Sequence, residues 1–327
     1  MRNRGKFLLL FFAGIVASAS VAAVDVLAQG YPAKPVRVLV GFSPGSGADA
    51  AARTVAPKLS ERLGQTVVIE NRLGAGGSIA TETASKSPAD GYTLLMMAGG
   101  DAIRPALRTN LPYDLVRDFA QVSMVTIGLT LLAVHPSVPA RNVEELIALA
   151  RSQPGKLNYG SAGVGSSAHL AGVLFNLMAK VDIVHVPFKG GTENLIATVA
   201  GQIDMSFAGA AAAVPLLGAG KLRALAITSA KRSSVMPSIP TLDESGVKGY
   251  DRSTWFGLVA PAGVPKDIIT RLNKEIVQVV NTREVTALLQ KQSFEPRTST
   301  PEEFAAFIRS EIAQNIKLIK LSGIKTD

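Results

Sequence analysis

The sequence predicts an α/β protein of two Rossmann-like lobes, with a ligand cleft between them and a hinge of two crossing segments. Three observations carry that expectation. Short β-branched runs alternate with amphipathic stretches in two separate series, and repeated strand-then-helix units build a parallel sheet covered on both faces. The chain has 327 residues, of which about 300 follow an N-terminal leader, enough for two lobes of about 100 to 150 residues each. Two extended segments, Val125 to Leu131 and Ser253 to Leu258, interrupt the alternation where the chain would cross between lobes.

The leader begins with the basic stretch Met1 to Lys6, continues through the apolar run Phe7 to Val16, and ends in small residues up to Ala28. That is the layout of a secretory signal peptide spanning 1–28, with the mature chain starting near Gln29. A retained membrane anchor is the competing reading. Its apolar stretch is diluted by Ser18, Ser20 and Asp25 and is short for the roughly 20 residues that cross a bilayer. Lobe 1 is then expected over 29–128 together with 254–327, and lobe 2 over 129–253.

The elements follow in order. Val36 to Val40 reads as a strand, Ala48 to Leu63 as a helix closed by Gly64, Thr66 to Ile69 as a strand, Ser78 to Ser85 as a helix and Thr93 to Met97 as a strand. The second series opens with Leu131 to Val134. It continues with helix Val143 to Ser152, strand Leu157 to Tyr159, helix Ser166 to Ala179, strand Ile183 to Val186, helix Thr192 to Ala200 and strands Met205 to Phe207 and Ala224 to Thr228. After the extended stretch Ser253 to Ala260 come helices Lys266 to Asn281, Arg283 to Gln290 and Pro301 to Leu321. These last three have no sheet partners of their own in sequence and are expected to pack back on lobe 1.

Composition narrows the function classes. There is no cysteine, hence no disulfide, thiol nucleophile or thiolate metal ligand. The formal charge is +9, and losing Arg2, Arg4, Lys6 and Asp25 with the leader takes it to +7. A basic surface suits small anions or nucleic acid, but the basic residues are scattered and aromatics make up only 6%. That argues against a nucleic-acid surface, which combines clustered Lys and Arg with stacking rings. His135, His169 and His185 are dispersed without metal-ligand spacing, so no metal is implied and structural roles are expected for all three.

Two glycine–serine loops carry the candidate chemistry, each running from a strand into a helix. Gly41-Phe42-Ser43-Pro44-Gly45 matches G-x-S-x-G, the hydrolase nucleophile elbow. That motif needs a backbone N–H after the serine, which Pro44 lacks. Pro44 to Asp49 instead forms a turn that presents free N–H groups at a helix start, an anion cradle; Asp49 is expected as its N-terminal cap, with ligand contact as the alternative. The second loop, Tyr159 to Ser167, contains the dinucleotide-like Gly163-Val-Gly165-Ser-Ser-Ala168. The ribose-binding acid should lie at the far end of the next strand, where Pro187-Phe188 stand, so no cofactor is expected. Ser161 and Ser166 add hydroxyls to this cradle. Ligands of open α/β sheets bind outside the strand carboxyl ends. The candidate ligand-binding residues are therefore Phe42, Ser43, Gly45, Ser46, Asp49, Ala98 and Arg104 from lobe 1, with Ser161, Gly163, Gly165, Ser166, Phe188, Gly190 and Ala208 from lobe 2.

Tyr31-Pro-Ala-Lys-Pro35, Asn71-Arg-Leu-Gly-Ala-Gly-Gly77, Pro88 to Leu95, Leu111-Pro-Tyr-Asp114, Tyr159 to Gly172, His185 to Gly190, Gly201-Gln-Ile-Asp204, Arg223 to Ser229, Ile239-Pro-Thr241 and Ala260 to Gly263 follow one another in fixed order. In these the chain resembles the tripartite tricarboxylate transporter receptors, the Bug or TctC-like proteins, over nearly its whole mature length. The resemblance implies a type II periplasmic-binding-protein fold and a solute-binding receptor with no enzymatic activity. It implies a small carboxylate held in Phe42 to Asp49 and Ser161 to Ser166, and a periplasmic receptor that must diffuse and dock is expected to be a monomer. Delivery would be to a membrane permease, or to a signalling partner if the chain is a sensor subunit. Ser46, Arg104 and Val173 depart from the family's usual glycine, asparagine and glutamate. Because it precedes Pro105, Arg104 is expected to be extended. It either pairs with a second anionic group of the ligand or lies solvated on the surface.

Overall fold

The computed structural model describes residues 30–324; the expected leader lies outside the described residues. In chain order the first strands are β1 (Val36–Val40), β2 (Val67–Asn71), β3 (Thr93–Ala98) and β4 (Phe119–Gly128). They are followed by β5 (Thr130–Val134), β6 (Asn158–Ser161), β7 (Val184–Pro187), β8 (Met205–Gly209) and β9 (Arg223–Ile227). β10 (Thr254–Pro261) and β11 (Phe294–Pro296) return late. The helices are α1 (Gly47–Leu63), α2 (Ser78–Ser85), α3 (Arg104–Leu107), α4 (Val143–Ser152) and α5 (Ser167–Ala179). After them come α6 (Gly191–Val199), α7 (Ala210–Gly218), α8 (Lys266–Val280), α9 (Arg283–Lys291) and α10 (Pro301–Ser322).

Two sheets result, a six-stranded one ordered β11-β4-β10-β3-β1-β2 and a five-stranded one ordered β7-β6-β8-β5-β9. β3, Thr-Leu-Leu-Met-Met-Ala, is buried at every position, as a strand covered by helices on both faces must be. On one face α1 presents Ala48, Ala51, Ala52, Val55 and Leu59 at three- and four-residue spacing against Leu272, Ile276 and Val279 of α8. Gly64 takes φ 68° to end α1, a left-handed cap that glycine adopts without strain. α10 starts with a reciprocal capping box between Thr300 and Glu303 and with Pro301 in its first turn.

The hinge follows from register. β10 is antiparallel to both β3 and β4, so β4 runs parallel to β3 and its last residue, Gly128, lies at the carboxyl edge of the first sheet. One residue later β5 begins, with Thr130 opposite Gly209 at the end of β8. β8 and β6 are parallel, as are β6 and β7, so Thr130 sits at the carboxyl edge of the second sheet. On the return path Thr228 donates its N–H to the Thr130 carbonyl and Thr254 pairs with Gly128. Both crossings therefore join carboxyl edge to carboxyl edge, and the loops after β1, β3, β6 and β8 open toward one junction.

Several expectations are corrected. β4 is a full ten-residue strand, where the sequence reading saw only an extended crossing. The terminal helices do bring a strand with them: β11, between α9 and α10, pairs with the end of β4. α8 and α9 pack on lobe 1 as expected, but α10 reaches further. Its Leu318 and Ile319 bury against Leu170 of α5 and Ile103, tying the two sheets' helices together. α7, an Ala-rich helix, was not expected at all. Helix starts shift by one residue at Ser166, which is the cap of α5 and not its first turn.

Candidate functional site

The loop after β1 is built from a tight turn and a helix start. Ser46 donates its N–H to the Ser43 carbonyl at 3.0 Å, with Pro44 second and Gly45 third at φ 81°, a type II turn with proline and glycine where that turn favours them. Ser46 is still extended and accepts the Asp49 N–H on Oγ at 3.3 Å. Asp49 reaches back, its Oδ2 accepting the Gly45 N–H at 2.9 Å. This corrects the expectation for Asp49: the cap is Ser46, and Asp49, already three residues into the helix, locks the turn from inside. Its carboxylate also accepts from Arg53 Nε at 3.0 Å and Asn71 Nδ2 at 2.8 Å. Burial pushes its pKa up, but these hydrogen bonds outweigh burial and hold it below the usual carboxylate value. With 3% of the side chain exposed, Asp49 is committed inside the protein. The N–H groups of Gly47 and Ala48, the first two of α1, have no partner among the described residues.

The loop after β6 repeats this construction. Ser166 donates to the Gly163 carbonyl at 3.1 Å, and Gly165 stands third in the turn at φ 77°. Ser166 caps α5, accepting the His169 N–H at 3.2 Å. His169 Nδ1 accepts the Gly165 N–H at 3.0 Å, as Asp49 does for Gly45. Here Ser167 and Ala168 supply the two N–H groups without a partner among the described residues. Ser161 is fully buried. Its Oγ accepts the Gly163 N–H at 3.0 Å, lies 3.0 Å from the Gly163 carbonyl and 2.6 Å from His185 Nε2. The hydroxyl thus shapes the loop instead of projecting from it. The two imidazoles stack at 3.9 Å.

Around these turns the remaining sequence-predicted residues divide into contacts and supports. Phe42 is half buried, its ring against Gly77 and Gly100 and its carbonyl accepting from Asn71 Nδ2 at 2.9 Å. Ser43 and Gly45 are exposed. Phe188, half buried, donates its N–H to the Ser161 carbonyl at 3.0 Å, and Gly190 is the extended cap of α6. Ala98 ends β3 and Ala208 is the last residue but one of β8, both with side chains in the cores, which leaves only their backbone to face the junction. Arg104 is corrected on both counts: it is helical, and it is neither extended nor solvated. Its guanidinium is buried, pairing with Asp101 and donating to the Gly76 carbonyl and the Tyr113 hydroxyl. Burial is the largest influence and opposes its charge, but the Asp101 carboxylate and the Tyr113 hydroxyl together outweigh it and hold the pKa above the usual value. These tertiary bonds override the extended preference before proline. Arg104 therefore holds the Gly74–Gly77 loop in place, and the next turn of α3 sets Leu107 against Gly165 of the other lobe.

The arrangement offers four outward N–H groups on two helix N-termini, which carry partial positive charge and suit a small anion. Cavity size alone does not mark the site: the 670 Å³ groove along α8, lined by Lys266, Arg271 and Lys274, lies away from both turns. Among the described residues no group of three or more His, Asp or Glu could hold a metal, and no helix is long and apolar enough to cross a membrane. Sequence reasoning missed His169 and His185 as supports of the second loop. The signal was present as a repeated pattern, Pro44-Gly-Ser-Gly-Ala-Asp49 against Val164-Gly-Ser-Ser-Ala-His169.

A family model described as tripartite tricarboxylate transporter family receptor matches residues 51–324. Among solved structures, R. palustris Rpa4515 with adipate is similar at 36% identity and a TM-score of 0.81, covering 91% of this chain and 100% of that one. The periplasmic binding protein BugD is similar at 29% identity and a TM-score of 0.78, covering 91% of this chain and 100% of its own. MatC from Rhodopseudomonas palustris, with bound malate, reaches 31% identity and a TM-score of 0.76, covering 88% and 100%. With the two sheets and the double crossing, these likenesses make the fold the two-lobed periplasmic-binding-protein type.

Proposed function

The chain belongs to the tripartite tricarboxylate transporter receptor family, a family of binding proteins and not of enzymes, and we propose that its solute is a small organic acid gripped by one carboxylate between the turns after β1 and β6. The single observation that carries this is the repeated turn, each copy leaving two helix-start N–H groups without a partner. A charge-assisted hydrogen bond contributes about 1.5–3 kcal/mol, and each helix N-terminus adds about 0.3–1 kcal/mol, up to about 2 when partly buried. Gly47 and Ala48 on one side and Ser167 and Ala168 on the other would receive the carboxylate, with Phe42, Ser43, Phe188 and Gly190 at the rim. Gly45, Ser46 and Asp49, like Ser161, Gly163, Gly165 and Ser166, shape the turns. Adipate and malate, seen in the two R. palustris relatives, are both dicarboxylates, and small dicarboxylates are the first solutes to test.

In this reading lobe 1 comprises 29–128 with 254–327 and lobe 2 comprises 129–253. They close about Leu129 and the Thr228-to-Thr254 return, because only the closed form makes both sets of contacts. The loaded receptor, a monomer in the periplasm, delivers its acid to a membrane permease of the tripartite tricarboxylate type. A thermal-shift screen of the purified protein against mono- and dicarboxylates and their amides tests the grip, since a ligand at 100 times its Kd adds about 2.7 kcal/mol of stability. Acids that raise Tm while their amides do not support it; acids that never shift Tm overturn it.

A further inference from the structure

Behind the second turn stands a stacked imidazole pair that the grip itself does not use. We propose that His169 and His185 are positioning residues of the carboxylate-binding turn in lobe 2, His185 holding Gly163 through Ser161 and His169 holding Gly165 only as a neutral ring, so that acid loosens this turn at Gly165 and not its counterpart in lobe 1. The inference rests on the carboxylate reading above.

Hydrogen-bond bookkeeping assigns the protons. Gly165 N–H donates to His169 Nδ1, so that nitrogen must be bare and the ring proton sits on Nε2. Ser161 Oγ has one proton and faces both the Gly163 carbonyl and His185 Nε2. All contacts are satisfied together when His185 carries its proton on Nε2 and donates it to Ser161. Ser161 then donates to Gly163 O while accepting from Gly163 N. One ring thus pins Gly165 directly and the other pins Gly163 through Ser161. Both glycines have positive φ, 77° and 109°, one of several conformations open to glycine, and the hydrogen bonds select it.

Protonating His169 turns Nδ1 into a donor facing another donor. The Gly165 N–H loses its acceptor, and the turn that aims Ser167 and Ala168 is released. The groups facing His169 are the His185 ring from β7, the Tyr159 phenol from β6, which donates to the His169 carbonyl at 3.2 Å, and the Gly165 amide. Burial first, and then the charge of His185, pushes the His169 pKa from 6.5 down to about 4, and burial lowers that of His185 as well. In lobe 1 the same position is Asp49, a carboxylate that remains an acceptor throughout this range.

The experiment compares wild type with His169→Asn, whose side-chain oxygen can accept from Gly165 without titrating, and with His169→Leu, which cannot accept. Two readouts are taken on the full-length mature protein: Kd for adipate, and the protection of the Gly165 amide from hydrogen exchange by NMR. At pH 7.5 the leucine variant is expected to bind adipate at least tenfold more weakly and the asparagine variant within threefold of wild type. The ratio of wild-type to asparagine-variant Kd cancels the titration of adipate itself. It is expected to rise about twofold or more by pH 4, where half the His169 rings are charged. Gly165 protection falls with it in wild type and holds in the asparagine variant. Equal weakening by Asn and Leu, or Gly165 protection that is flat in wild type, overturns the proposal. Failure of wild type to bind adipate at pH 7.5 counts against adipate as the solute, and the Gly165 measurement then decides the histidines alone.

Discussion

The turns Ser43–Ala50 and Gly163–Leu170 have the same backbone, with matching turn hydrogen bonds, positive-φ glycines and serine caps. They differ in the fourth residue after the glycine. In lobe 1 it is an aspartate saturated by Arg53 and Asn71, and the neighbouring Arg104–Asp101 pair is ionic too. In lobe 2 it is a neutral histidine backed by a second one. The backbone that presents the helix-start N–H groups is the same in both turns, whereas the acceptor that locks it differs, a carboxylate in one and an imidazole in the other.

The largest expected effect lies on the ionic side. Arg104→Ala leaves the Asp101 carboxylate buried without its partner and should cost about 3–5 kcal/mol in chemical denaturation. A loss under 1 kcal/mol would show that the Asp101 pair does not anchor the Gly74–Gly77 loop.

Acid should strike the other side. The folded value of His169 is lowered, so the unfolded chain takes up the proton first. The contribution of neutral His169 to stability is complete above about pH 6.5 and is lost as pH falls to about 4. At 1.36 kcal/mol per unit this amounts to about 3 kcal/mol at most, and His169→Asn should flatten that arm of the stability profile. Asp49, lowered from 3.8, contributes above its ordinary value and fails only at more acidic pH. Asp49→Asn should therefore leave the arm between 4 and 6.5 unchanged.

The smallest effects compare the glycines. At Gly45 an added Cβ meets open space, so Gly45→Ala should cost only the left-handed strain, about 1–2 kcal/mol. At Gly165 the same Cβ overlaps Leu107 of lobe 1, and Gly165→Ala should cost more and also hinder closure. Equal losses in thermal denaturation would mean that Leu107 does not press on this turn.

Much of this was legible in sequence because period and punctuation are local. The alternating strands and helices of both lobes, and the two glycine–serine turns, sit where residue patterns put them. What escaped depends on partners far along the chain. β11 is three residues with no period to detect, and it exists because β4 has an open edge. Arg104 reads as extended, and in one alternative as solvated, until Asp101, Tyr113 and Gly76 surround it. His169 and His185 are 16 residues apart and meet only because β7 lies beside β6; dispersal in sequence hid a stacked pair. The reach of α10 across to α5 was hidden in the same way, since its apolar Leu318 and Ile319 do not reveal which lobe they cover.

The central claim is that unpartnered helix-start N–H groups hold the ligand's carboxylate, and Ser167→Pro tests it most directly. Proline is accommodated at the first position of a helix, where its φ fits and the missing N–H breaks no helical bond, and Ser166 before it is already extended, at ψ 160°. The variant thus removes one proposed donor and little else. Calorimetric titration of wild type and variant with the acid that stabilises wild type most should show binding at least tenfold weaker, with Tm of the free protein within a few degrees. Unchanged affinity would contradict the account.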